Sequence, residues 1–90
     1  MIEFQGEYEL IQHLKKQDLT KYGVSMSATG KTLKDGWLAG PYHITGYLYV
    51  KETMEFPVGE RFRVSVGWSE QSDCKRSINR VREAIKEEAS

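Results

Sequence analysis

The sequence predicts an α+β fold in the order α-β-β-β-α: a three-stranded antiparallel sheet with two helices packed on one face, in a single domain spanning residues 1–90. Three patterns predict it. Tyr42 to Val50 alternates, with Ile44, Leu48 and Val50 on one side and His43, Thr45, Tyr47 and Tyr49 on the other. Arg61 to Trp68 repeats the alternation, with Phe62, Val64, Val66 and Trp68 inward and Arg61, Arg63 and Ser65 outward. Cys74, Ile78, Val81 and Ile85 recur at steps of four, three and four, the stripe of a helix. A period of two marks a strand with one buried face, and a period near 3.6 marks a helix with one.

Met1 to Gln5 is an extended lead-in, with Ile2 and Phe4 on one side. Glu7 to Gln17 forms the first helix, its apolar stripe made by Tyr8, Leu10, Ile11 and Leu14 and its wet face by Glu7, Glu9, Gln12, Lys15 and Lys16. Asp18 to Lys21 is the exit, with Leu19 returning to the core. Tyr22 to Thr29 alternates as the first main strand, Tyr22, Val24, Met26 and Ala28 sharing a face. Gly30, Gly36, Gly40 and Pro41 punctuate a long loop, Gly30 to Pro41, in which Trp37 and Leu38 either fold back as a lid on the core or are offered to a partner. The lid is preferred, because an exposed Trp–Leu pair is a liability.

The central strand follows, and its continuation from Lys51 keeps the pattern through Met54 and Phe56. Pro57-Val58-Gly59-Glu60 has turn chemistry, since Pro presets φ and Gly permits positive φ, so the last two strands pair as a hairpin there. Ser72 is the expected N-cap of the last helix, which runs to about Glu88.

Composition bounds the function. Thirteen basic and thirteen acidic side chains leave no net charge, which disfavours a general binder of nucleic acid or membrane surfaces. Cys74 is the only cysteine, so neither an internal disulfide nor a cysteine zinc site can form, and a reducing cytoplasm is the natural compartment. The chain carries no signal-like or membrane-length apolar run, and reads as a complete small cytoplasmic gene product.

Little points to catalysis. Ala28-Thr29-Gly30-Lys31-Thr32 matches the end of a phosphate loop, but that motif needs a glycine where Ser25 stands and a helix directly after it. His13 and His43 lie on different elements, and Cys74, on an apolar stripe, reads as a buried structural thiol. No metal-ligand spacing is present; neither an enzyme nor a cofactor is expected.

The open sheet face is richer. Tyr47, Tyr49, Arg61 and Arg63 collect there with His43, Thr45 and Ser65. Tyrosine with arginine suits a protein interface, and the same mixture suits stacking on single-stranded nucleic acid. An ordinary solvated face held by cross-strand pairs has the same composition. The last helix also has an unusual charge order, with Lys75, Arg76, Arg80 and Arg82 before Glu83, Glu87 and Glu88. The helix dipole favours the reverse order.

The α-β-β-β-α order, Gly40-Pro41-Tyr42-His43 before the second strand, and the basic start of the last helix together resemble a double-stranded RNA-binding domain. The resemblance implies that His43 would enter the RNA minor groove and that Lys75, Arg76 and Arg80 would meet phosphates across the major groove. The leading expectation is a small non-enzymatic accessory protein that binds another protein, or itself, through Tyr47, Tyr49, Arg61 and Arg63, with Trp37 as a secondary contact. The alternative is an RNA-binding module using His43 and the basic helix start.

Overall fold

The computed structural model describes residues 1–55 and 57–89. Its elements are β1 (Ile2–Phe4), α1 (Glu7–Lys15), β2 (Tyr22–Thr32), β3 (Leu38–Val50), β4 (Val58–Val64) and α2 (Gln71–Ala89). They form one four-stranded sheet in the order β1-β4-β3-β2, in which β2, β3 and β4 are antiparallel neighbours and β1 joins β4 in parallel. The α+β class and the helices agree with the sequence reading, while the sheet is mixed and has a fourth strand. β1 covers three residues, too few for a period of two to stand out, and it pairs with a segment some sixty residues away.

Alternation sorts the side chains as the sequence predicts. Val24, Met26 and Ala28 on β2, Ile44 and Leu48 on β3, and Phe62 and Val64 on β4 pack with the two helices. Leu10 and Leu14 come from α1, and Cys74, Ile78, Val81 and Ile85 from α2. Each fully buried Leu, Ile, Val, Met or Phe among them contributes about 1.5–3 kcal/mol before the cost of ordering the chain. Gly46 makes the packing close: a Cβ there would stand 2.1 Å from the Ser25 carbonyl oxygen and 2.7 Å from the Phe62 ring.

Several sequence expectations are corrected. Gly30 to Pro41 is not a loop but the outer part of a long β2–β3 hairpin, turning only between Thr32 and Leu38. Gly40 and Pro41 sit where two steps along β2, Thr29 to Lys31, oppose four along β3, His43 to Ala39. A bulge of this kind asks no ladder bond of a proline, so Pro41 is tolerated inside a strand. Trp37 is no lid; it stands at the hairpin tip, 71% exposed.

The β3–β4 connection turns at Lys51 to Thr53, not at Pro57 to Glu60. Val58 to Glu60 already belong to β4, where positive φ at Gly59 serves a second irregularity opposite Gly46 to Leu48. Met54 is exposed with φ 61°, so the strand pattern does not continue through it, and the expectation for Phe56 lies outside the described residues. β4 ends at Val64; Val66 is 47% exposed, and Trp68 returns to exchange two backbone bonds with Tyr42, Tyr42 N–H to Trp68 C=O at 2.7 Å and Trp68 N–H to Tyr42 C=O at 2.8 Å.

On α1, Tyr8 is 73% exposed and leaves the stripe to Leu10, Ile11 and Leu14. Glu7 takes the inward position one turn before Leu10 and is drawn to α2, where Ser77 Oγ and Arg80 Nε each donate to its Oε1 at 2.8 Å. The pair lets Ser77 be fully buried with its hydroxyl satisfied. Ser72 is not the cap of α2: the first helical N–H bonds, from Asp73 and Cys74, reach the Glu70 carbonyl. Among the described residues, no helix is long and apolar enough to cross a membrane.

Candidate functional site

The sheet has one face under the helices and one without them. β3 turns His43, Thr45, Tyr47 and Tyr49 to the uncovered side because their neighbours Ile44 and Leu48 are held in the core. The register places Tyr47 opposite Ser25 on β2, and Thr45 opposite both Ser27 on β2 and Arg63 on β4. Four of the predicted contact residues, Tyr47, Tyr49, Arg61 and Arg63, therefore share this face.

Their interactions differ. The Arg61 guanidinium lies over the Tyr47 ring, 4.9 Å from its centroid. That contact holds an exposed cation and an aromatic plane in one orientation, a pairing worth about 0.5–1 kcal/mol at such a site. Beside them Ser25, Ser27 and Thr45 line a depression of about 200 Å³. Tyr49 leans over Gly23, where a Cβ would come within 2.3 Å of the ring. Arg63 Nη1 donates to Glu3 Oε1 of β1 at 3.0 Å. Glu3 is the residue that sequence reasoning missed, since nothing local reveals that the lead-in becomes the neighbour of β4.

Trp37 is not part of this cluster. It precedes β3, and Tyr47 lies nine residues beyond Leu38, about 30 Å along an extended strand. The hairpin tip offers its own apolar group, Leu33, Trp37 and Leu38, ordered by a bond from the Leu33 N–H to the Trp37 carbonyl at 2.8 Å.

The residues of the RNA-type resemblance are dispersed. His43 is on the uncovered face, with Nδ1 3.1 Å from the Val64 carbonyl. Lys75, Arg76 and Arg80 are on α2, across the sheet from it. Arg76 bonds Asp73 at 3.1 Å and Arg80 bonds Glu7 at 2.8 Å, so both are directed toward carboxylates of their own chain. Lys75 points the other way, into a groove beside β2 that it shares with Arg82.

Cys74 is fully buried, and that burial pushes its thiol pKa up, away from nucleophilic character. Among the described residues, no group of three or more His, Cys, Asp or Glu side chains lies together as a metal would require. The chemistry that the uncovered face offers is stacking, hydrogen bonding from hydroxyls and cation contact. No family model matches the chain, and comparison with curated proteins and with solved structures finds no match either.

Proposed function

We propose that this chain is a small non-enzymatic accessory protein of the cytoplasm that works by binding another protein through its uncovered sheet face. The observation that carries the reading is the Tyr47–Arg61 pair, stacked at 4.9 Å beside Tyr49 on a face that neither helix protects. Tyr and Arg are, with Trp, the residues enriched among interface anchors, since each offers a large flat surface together with a hydrogen-bonding end. A stacked pair is already ordered before a partner arrives, which lowers the entropy lost on docking. Arg63, tethered by Glu3, would frame the contact rather than anchor it, and Trp37 would serve as a separate contact at the hairpin tip.

The test is capture of a partner by the immobilised protein, followed by identification, with wild type and a Tyr47→Ala/Arg61→Ala variant. The expected outcome is a specific partner retained by wild type and lost by the variant at unchanged fold. Equal retention by both would remove this face from consideration. Duplex RNA that binds tightly at low salt and weakens steeply as salt rises would replace the protein-partner reading with the nucleic-acid one.

A further inference from the structure

β2 is the outer strand of the sheet, eleven residues long, and among the described residues no strand pairs with its far side. The register tells which of its backbone groups are left over. Lys51 N–H donates to the Lys21 carbonyl at 3.0 Å, and the pairing proceeds residue by residue from there through Tyr22–Val50 and Val24–Leu48 to Ala28–Ile44. In an antiparallel ladder bonded and non-bonded pairs alternate. Gly23, Ser25 and Ser27 therefore turn their N–H and C=O groups to β3, while Val24, Met26 and Ala28 turn theirs to the free edge. Arg82 supports this assignment, because its Nη2 lies 3.5 Å from the outward Met26 carbonyl.

Beside this edge runs α2, antiparallel to β2: Lys75 lies by Met26 to Ala28, and Lys86 by Tyr22 to Val24. Two depressions of about 350 and 290 Å³ follow one another between helix and strand, sharing Arg82. Met26, Ala28 and Ile78 give the first an apolar floor. Lys75, Arg82 and Lys86 stand along the helix side at steps of seven and four, one face of α2, and among the described residues no carboxylate lines either depression. In a chain of zero net charge this is a sorted surface: among the described residues the carboxylates paired with α2 cations, Asp73 and Glu7, hold Arg76 and Arg80 elsewhere on the helix.

Exposed strand edges are ordinarily blunted by shortness, charge or proline. β1, the opposite edge, is three residues long, whereas β2 carries neither a charge nor a proline between Tyr22 and Gly30. We propose that the groove between β2 and α2 binds an acidic extended peptide of a partner protein, which adds as a further strand to β2 and sets carboxylates against Lys75, Arg82 and Lys86. The outward N–H and C=O groups of Val24, Met26 and Ala28 supply the ladder, the Met26 carbonyl being shared with Arg82 Nη2, and the cationic row supplies the selectivity. Alternate side chains of such a peptide, about 6.6–6.8 Å apart, all face the groove. A second copy of the chain is the poorer occupant, because two-fold pairing of β2 with β2 would bring two rows of Lys75, Arg82 and Lys86 together. The first depression is on the helix side of the sheet and the second reaches Tyr49 around the β2 edge, so the inference rests on the β2 edge and the α2 cations, not on the Tyr47–Arg61 contact.

The test is titration of isotope-labelled protein with an eight-residue peptide of alternating glutamate and valine, read by amide hydrogen exchange. The expected result is new protection at Val24, Met26 and Ala28 with Ser25 and Ser27 unchanged, and at least tenfold weaker binding by a Lys75→Glu/Arg82→Glu variant. Arg61→Ala, a change at a residue that lines neither depression, should bind this peptide as wild type does. If the double charge reversal does not fold, Lys75→Gln, a change at an exposed position, should weaken binding in the same direction by a smaller factor. The inference is overturned if the three outward amides gain no protection, if a peptide of alternating lysine and valine binds equally, or if the charge variants bind as wild type does. It is overturned also if light scattering shows a dimer that already occupies the β2 edge, or if duplex RNA occupies these amides in preference to the peptide.

Discussion

The two faces of the sheet are made from the same three main strands and answer to different physics. On the helix side, Ile44, Val64 and Val81 are completely enclosed, and Gly46 leaves room for only a hydrogen atom between Ser25 and Phe62. On the other side, Tyr47, Arg61, Arg63 and Glu3 touch one another in pairs but remain open to water. The first face spends its side chains on stability, where displaced atoms have nowhere to go. The second holds side chains in place by contacts worth about 1 kcal/mol or less, which leaves them available to a partner.

The sharpest way to break this contrast is to truncate the enclosed side. Ile44→Ala should cost about 2–5 kcal/mol, seen as a lower midpoint in urea, because the cavity cannot collapse between two helices and three strands. A loss under about 1 kcal/mol would mean that this side is loosely packed. Gly46→Ala should cost about 1–3 kcal/mol by the opposite route, overfilling, since the new methyl meets a backbone carbonyl that cannot swing away. Thermal melting of that variant measures it, and a neutral result would show that the strands separate more readily than their packing implies.

On the uncovered side the effect should be smaller. Tyr47→Ala/Arg61→Ala should change stability by less than about 1 kcal/mol while abolishing partner capture, so folding and binding are read from different residues. A large stability loss would show this face to be structural. The smallest effect belongs to neither face but to the corner that feeds β2. There the Thr20 hydroxyl, then the Thr20 N–H, bond the Asp18 carboxylate and lower its pKa below the ordinary value of about 3.9. A group whose pKa is depressed by folding contributes stability above its unfolded value and loses it as pH falls through its folded one. Melting temperatures of wild type and Asp18→Asn should therefore differ slightly near neutrality and converge below about pH 4. Asp18 is exposed, and a gap that persists at strong acid would rule out this origin.

How much of this was legible in the sequence depends on distance along the chain. Val24, Met26 and Ala28, Ile44 and Leu48, and Phe62 and Val64 were assigned to the enclosed side correctly, since alternation is a property of neighbours. Tyr8 was misplaced because an aromatic at helical spacing looks like core, while the inward position belongs to Glu7, which is visible only once Ser77 and Arg80 approach it from α2. Val66 was misplaced because the alternation runs on in sequence after β4 has lost its neighbours. The loop expected from Gly30 to Pro41 proved to be strand, since a bulge lets glycine and proline stay inside a hairpin.

The candidate surfaces divide the same way. Tyr47, Tyr49, Arg61 and Arg63 could be grouped in advance, because each follows from one strand's period and the next strand's adjacency. The groove beside β2 could not. Its row Lys75, Arg82, Lys86 was hidden among the other cations of α2 until Glu7 and Asp73 claimed Arg80 and Arg76.

Which side chains share a face of each element follows from local order along the chain, because the pleat and the helical turn repeat over two to four residues. Which strands end the sheet and which cations keep a carboxylate depend on the folded chain. Those outcomes come from pairings between residues tens of positions apart, as when β1 closes one edge on β4 and leaves the long edge of β2 beside α2.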